Sequence, residues 1–418
     1  MSGFEAFVYH NGELFVENVS LKKIAEKFGT PCYIYSQSAL TNAYQQFDAA
    51  FEDRDHLICY AVKANSNLAI LNLLARLGSG FDIVSGGELQ RVIRAGGDAQ
   101  KTIFSGVGKS VNEMRMALNL NILCFNVESE AELITLNHVA QNMNKVAPVS
   151  LRVNPDVDAK THPYISTGLK ENKFGIAVDE AMRIYQSAHL YPYVRFTGID
   201  CHIGSQLSFI EPFVEASEKM LQLFDGLKKQ KLDIEHIDLG GGLGIRYNNE
   251  KPPSIKEYIS KLCSITRNIK QRLVIEPGRA LVGNSGILLT RIEYLKQTPA
   301  RNFAIVDAAM NDLIRPSLYD AYHEILPVEK NTIEAKNYEI VGPICETGDF
   351  LGHDRKLSIM DGDLLAIMSA GAYGMSMSSN YNTRPRAAEI LVVGSQTHVI
   401  RQRESIEQII AGEQIIAY

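Results

Sequence analysis

Apolar and polar residues recur along this chain with two different periods, and the switches between them mark three stretches. At the start, Phe7-Val8-Tyr9 and Leu14-Phe15-Val16 flank Asn11-Gly12. That dipeptide tolerates positive φ, as a two-residue hairpin turn requires. A helix is predicted over Leu21–Phe28, with Gly29 placed to end it and Pro31 just beyond. From about residue 56 to 278, short runs rich in β-branched and aromatic residues recur at 57–62, 81–84, 102–104, 123–127, 149–153, 196–201, 234–239 and 273–275. Helical patterns lie between them. Five open on a serine followed three residues later by glutamate, a pair that can satisfy two free N–H groups of a first turn: Ser85/Glu88, Ser110/Glu113, Ser129/Glu132, Ser208/Glu211 and Ser254/Glu257. After Ser66, Leu68, Leu71, Leu74 and Ala75 share one helical face and Gly78 stops it.

Eight strand–helix units predict an α/β fold, a closed (β/α)8 barrel. An open doubly wound sheet uses the same units. The count of eight, and the place where unusual residues fall, favour the barrel. Beyond about residue 280, strand-like segments dominate, at 287–294, 303–306, 338–341, 364–368 and 389–393, with one helical stretch at 313–325. They predict a second, mostly β domain, whose sheet the N-terminal hairpin is expected to join. The expected division is therefore a barrel over 36–279 and a discontinuous β-rich domain from 1–35 and 280–418.

Composition narrows the class without naming a function. Of 418 residues, 45 % are hydrophobic and 22 % charged, the balance of a globular protein with a large core. The net charge is −6 and no segment is strongly basic, so neither nucleic acid nor an anionic membrane is expected as a partner. Met1-Ser2-Gly3-Phe4-Glu5 does not read as a signal peptide, and no apolar stretch is long enough to span a bilayer. The six cysteines form no CxxC pair and do not cluster with histidine, so no metal site is expected. They fit a reducing, cytoplasmic setting.

Barrel enzymes place their chemistry at the C-terminal ends of the strands. In order, those ends carry Lys63, Ser85, Asn126, Asn154, His202, Gly240-Gly241-Gly242 and Glu276. Lys63 closes a buried strand. It is either a nucleophilic amine in a cavity or a lysine reaching out from the barrel rim. Glycines after the seventh strand let backbone N–H groups approach an anion, and barrels often bind phosphate there; a tight turn is the plainer reading. Glu276-Pro277-Gly278-Arg279 offers a carboxylate for a protonated ring nitrogen and a guanidinium for an anion, or else a surface ion pair. His202 can stack on a planar group or be a satisfied core residue, and Ser205 can donate to a phosphate. In the second domain, Cys345, Glu346 and Asp349 share a turn-rich segment. Arg315 and Tyr319 lie one helical turn apart, and Tyr373 sits between glycines.

Seven motifs, in order, resemble the fold-type III decarboxylases that use pyridoxal 5'-phosphate: YAVKAN, FDIVSGGEL, HIGSQ, DLGGGLG, EPGRALV, GPICETGD and GAYGMSMSSNYN. The resemblance spans nearly the whole chain. It implies that Lys63 carries the cofactor as a Schiff base and that His202 stacks on its ring. Ser205, Gly240, Gly241, Gly242, Gly278 and Arg279 would hold its phosphate, and Glu276 its ring nitrogen. Tyr373 would touch cofactor and substrate, and Arg279, Arg315 and Tyr319 the distal carboxylate. Cys345 would donate a proton and Glu346 take the distal amine, both from a partner subunit, making a homodimer with shared active sites.

The implied reaction is loss of carbon dioxide from an amino acid, for which a protonated ring is the better electron sink. Racemases on the same barrel place an arginine, not an acid, at the ring nitrogen. Two cations, Arg279 and Arg315, with one anion, Glu346, match a distal carbon bearing both carboxylate and ammonium. That describes meso-2,6-diaminopimelate, with L-lysine as product and lysine biosynthesis as the setting. The alternatives are a carboxynorspermidine- or arginine-type polyamine decarboxylase, a non-catalytic pyridoxal-phosphate carrier, and a barrel with no cofactor.

Overall fold

In the computed structural model, which describes residues 6–158 and 172–416, eight parallel strands close on themselves. They run His56–Ala61, Gly80–Ile83, Thr102–Phe104, Cys124–Val127, Ala147–Asn154, Val194–Asp200, His236–Asp238 and Arg272–Ile275. Each bonds to the next, and the eighth returns to the first through Leu273–His56 and Val274–Leu57. The ring excludes an open sheet. A two-residue strand, Ile176–Ala177, adds to the fifth strand. The opening Met1–Glu5, read above for a leader, lies outside the described residues.

Strands buried on both faces need apolar residues on both. Cys59, Phe81, Phe104, Phe125 and Leu151 are accordingly fully buried. The helices start where capping serines place them: Ser85, Ser110, Ser129 and Ser254 each accept the N–H of the glutamate three residues on. Only Ser110/Glu113 forms both halves of the box. Ser208 does not cap. The nineteen-residue helix Glu211–Lys229 begins after Ile210, with Pro212 in its first turn supplying the fixed φ that a helix start accepts. The helix after Ser66 is capped by Asn67 instead.

This barrel unit comprises Ala43–Ile245 and Lys251–Leu281. The second unit comprises Met1–Asn42, Arg246–Glu250 and Val282–Tyr418. Its spine is the twelve-residue strand Gly286–Gln297. The first half of that strand pairs antiparallel with Cys32–Ser36 on one side and Leu364–Ile367 on the other. Its second half pairs with Asn302–Val306. Ala388–Val393 then runs parallel to Cys32–Ser36, so an N-terminal strand sits in the middle of a mostly C-terminal sheet.

The hairpin Phe7–His10 and Glu13–Val16 forms its own small sheet with Val19–Ser20. It belongs to this unit through Leu14 N–H to Val328 O and Lys330 N–H to Gly12 O, and through Phe7, Leu14 and Val16 in the same apolar cluster as Ile34, Leu289 and Ile390. The strand that enters the large sheet is Cys32–Ser36. All five of its residues are buried, so it carries no alternating signature. The helix expected over 313–325 is confined to Arg315–Tyr319. Asp320 takes a left-handed φ of 49° and ends it, and the chain re-enters the sheet as Ile325–Pro327. Among the described residues, no helix is long and apolar enough to cross a membrane.

Ile34 is fully buried where the two halves of the sequence meet. Ile34→Ala should cost about 2–5 kcal/mol, read as an earlier urea transition of this unit. An unchanged midpoint would mean the N-terminal strand is not integral to the sheet.

Candidate active site

The barrel interior concentrates charge where its strands end. Lys63 lies on a single 3-10 turn, Val62–Ala64, directly after the first strand. Its Nζ is 2.9 Å from Oδ2 of Asp82, a fully buried residue of the second strand. Asn126 of the fourth strand donates to Ser105 Oγ (3.3 Å) and to Glu276 Oε1 (3.4 Å). Arg152 of the fifth strand is buried and donates to Glu128 Oε1 at 3.0 Å. Glu128 also accepts the N–H groups of Gly106 and Gly175, which fixes its carboxylate as the partner of Arg152.

Asp200, Asp238 and Glu276, from the ends of the sixth, seventh and eighth strands, are all buried and offer carboxyl oxygens within 4.8 Å of one another. Burial pushes the Glu276 carboxyl well above the usual range, and the charges of Asp238, Asp82 and Asp200 add to this while Lys63 opposes it. Asp200 is raised in the same way, by burial and then by Asp238. Asp238 is pushed up to about 7 by burial, against the N–H of Gly240 that its Oδ1 accepts at 2.9 Å.

The glycine turn is welded to these acids. Glu276 N–H donates to Gly240 O at 2.8 Å. Gly240 (φ 67°) and Gly242 (φ 111°) occupy the left-handed region that glycine favours. A Cβ on Gly241 would lie 2.1 Å from Glu276 O, and one on Gly240 2.4 Å from Cys201 O, so no larger residue fits. Gly241 N–H donates to Nδ1 of His202 at 3.1 Å, leaving the ring's proton at Nε2. Burial, then Arg152 and Lys63, hold His202 well below its ordinary pKa, so the ring is neutral. Beside the turn, Arg279 Nη2 donates to Ser205 Oγ at 3.1 Å, and Gly278 packs against Ala64 and Ala61 of the Lys63 segment.

The barrel thus brings together Lys63, His202, Ser205, Gly240, Gly241, Gly242, Glu276, Gly278 and Arg279. A neutral flat ring, an amine, a basic and hydroxylic corner and a set of under-neutralised acids fit a planar cation with an anionic tail, as pyridoxal phosphate is when its ring nitrogen is protonated. Asp82, Glu128, Arg152, Asp200 and Asp238 join this set only in the folded barrel. Four of them, Asp82, Arg152, Asp200 and Asp238, carry the signal of a charged residue inside an otherwise apolar strand.

In the second unit, Arg315 is buried and Tyr319 half-buried on the helix Arg315–Tyr319. Cys345 is exposed, its N–H held by Asn382 Oδ1 at 2.9 Å, and Glu346 accepts from the Tyr381 hydroxyl. Ser317 Oγ donates to Gly348 O at 2.7 Å and so ties the Arg315 helix to the Cys345 loop. Tyr373 has a φ of 56°, a conformation that a bulky residue adopts only where its surroundings impose it.

Residues 37–283 match the family model for the pyridoxal binding domain of pyridoxal-dependent decarboxylases. The chain belongs to that family, on a fold-type III barrel. A curated diaminopimelate decarboxylase of Pseudomonas aeruginosa is 56 % identical over 412 residues, covering 99 % of both chains. The structure of diaminopimelate decarboxylase from Helicobacter pylori, complexed with L-lysine, superimposes with a TM-score of 0.91 at 42 % identity, covering 94 % of this chain and 99 % of that one. The enzyme from M. jannaschii, in co-complex with L-lysine, gives 0.95 at 39 % identity, covering 100 % and 99 %. Within the family, the chain falls with the diaminopimelate decarboxylases.

The raised carboxyls set a pH dependence for the cofactor-free protein. A carboxyl whose pKa is higher folded than unfolded binds a proton the unfolded chain releases, so its stabilisation is lost as pH rises. Stability should fall between the ordinary aspartate range and about 7, the value for Asp238, and Asp238→Asn should flatten that slope. A stability curve that rises through this window, or is unaltered in the variant, would contradict the assignment.

Proposed function

We propose that this chain is a pyridoxal-phosphate-dependent diaminopimelate decarboxylase, releasing carbon dioxide from meso-2,6-diaminopimelate to give L-lysine. The observation that carries the reading is Glu276, a buried carboxyl crowded by Asp238 and Asp200, in a chain alike end to end to enzymes of that name. When bound, pyridoxal phosphate supplies the electron sink for the pair left as the carboxyl group departs.

The chain's own residues do the rest. Lys63 would hold the cofactor through its Nζ, and Asp82 balances the charge of that amine. His202 would stack on the ring, its tautomer fixed by Gly241. Ser205, Gly240, Gly241, Gly242, Gly278 and Arg279 take the phosphate. Glu276 holds a proton at the ring nitrogen, which its crowded acids make favourable because a ring cation relieves their repulsion. Arg315 and Tyr319, with Arg279, bind the substrate's distal carboxylate, and Tyr373 lies against cofactor and substrate. Glu346 takes the distal ammonium, and Cys345 returns a proton to the α carbon. Cys345 and Glu346 act from the second copy in a homodimer, which fits their exposure in the single chain. Six cysteines without a disulfide support a reducing compartment, the cytoplasm.

Carbon dioxide release from meso-diaminopimelate, carboxynorspermidine, arginine, ornithine and lysine by the purified holoenzyme tests the assignment. Activity on the first alone is expected; activity on a polyamine precursor and none on meso-diaminopimelate would refute it. Cys345→Ala should slow turnover by roughly 10²-fold or more, as loss of a positioned proton donor does, while the cofactor's visible band persists. Loss of that band would remove Cys345 from the proposed role.

A further inference from the structure

The side chain of Arg315 is held by a histidine that no step of the reaction uses. His323 is fully buried. Its Nδ1 lies 2.8 Å from the carbonyl oxygen of Met368, an atom that can only accept, so the ring's hydrogen sits at Nδ1. Nε2 is then a lone-pair acceptor, and it lies 2.9 Å from Nη1 of Arg315, which can only donate. The ring of Tyr247 completes the mount. The Arg315 guanidinium carbon stands 4.7 Å from its centroid, and the imidazole meets it edge-on at 5.1 Å and 75°.

The support is rigid. Met368 N–H returns a bond to Glu324 O at 2.8 Å, and the next residues, Ile325–Pro327, pair antiparallel with Leu364–Ile367. The imidazole is thus bonded to the backbone one residue past a strand end, and its own residue lies two positions before the paired strand Ile325–Pro327. A guanidinium binds a carboxylate well only when its planar fork is aimed, and a long side chain loses freedom each time it must be aimed afresh. Taking one N–H edge to a fixed imidazole and one face to a tyrosine sets that plane before a substrate arrives.

The geometry points to His323 as a positioning residue for substrate selection: its Nδ1-protonated tautomer aims the Arg315 guanidinium at the distal carboxylate. This rests on the reading of Arg315 given under the proposed function. His323 itself touches neither substrate nor cofactor in this account.

Steady-state kinetics on meso-diaminopimelate, with saturating pyridoxal phosphate, test it. His323→Asn keeps a donor for Met368 O and loses the acceptor for Arg315. KM should rise roughly ten-fold or more, the size expected for losing a hydrogen bond to a charged group, with kcat within about three-fold. His323→Gln places a carbonyl oxygen near the former Nε2 and should return KM close to the parent value. Placed in an Arg315→Ala background, His323→Asn should add nothing. An unchanged KM in His323→Asn, or an equal rise in the Arg315→Ala background, overturns the inference while the reading of Arg315 stands. An unchanged KM in Arg315→Ala alone overturns both. Should His323→Asn fail to fold, the side-chain ¹⁵N resonances of His323 in the unmutated holoenzyme decide: a protonated Nδ1 and bare Nε2 support it, and a protonated Nε2 overturns it.

Discussion

A carboxylate stays ionised in a protein interior only where a cation or several hydrogen-bond donors meet it. The barrel of this chain buries Asp200, Asp238 and Glu276 together and meets them incompletely: among the described residues, Asp200 Oδ1 and Asp238 Oδ2 have no hydrogen-bond partner. Arg152, the buried guanidinium whose charge opposes the rise at Asp200, is itself engaged by Glu128. The barrel interior is therefore acid-rich and under-neutralised, and a protonated pyridine ring is a cation that would offset it. On the proposed reading, binding and chemistry would draw on the same electrostatics, since the cation that relieves the acids is also the better sink for electrons.

The rest of the barrel serves that arrangement. Glu276 and Asp238 are not free to drift, because the glycine turn after the seventh strand bonds to both: Gly240 O accepts from Glu276 N–H and Gly240 N–H donates to Asp238. The same turn fixes His202 through Gly241. Glu276, proposed for the ring nitrogen, His202, proposed for the ring face, and the turn proposed for the phosphate are one hydrogen-bonded piece, and a Cβ at Gly240 or Gly241 would pry it apart. Lys63 enters from the opposite end of the ordering, on a 3-10 turn against which Gly278 packs closely.

Much of this was legible in the chain. Eight apolar runs gave the barrel, because strands covered on both faces leave few other choices of residue, and serine caps marked four of the helix starts. The residues that break the apolar pattern at strand ends, Lys63, His202 and Glu276, could be picked out because they are costly there unless used. What escaped did so for physical reasons. Asp82, Arg152, Asp200 and Asp238 sit inside strands and look like interruptions until the ring closes and faces them inward. Cys32–Ser36 has no alternation because both its faces are covered. Ser208 resembles its neighbours in sequence, but its helix starts further on, after Ile210, with Pro212 in the first turn and no side-chain cap. The support of Arg315 joins Tyr247, His323 and Met368 across 121 positions of sequence, from 247 to 368, which no local pattern encodes.

Everything proposed for this site turns on whether the buried acids keep the cofactor's ring nitrogen charged. The ¹⁵N resonance of pyridoxal phosphate labelled at that nitrogen, bound to the protein at neutral pH, reports it directly. A protonated nitrogen is expected in the parent protein, and an unprotonated one in Glu276→Ala. A bare nitrogen in the parent, or one whose proton is indifferent to Glu276, would contradict it.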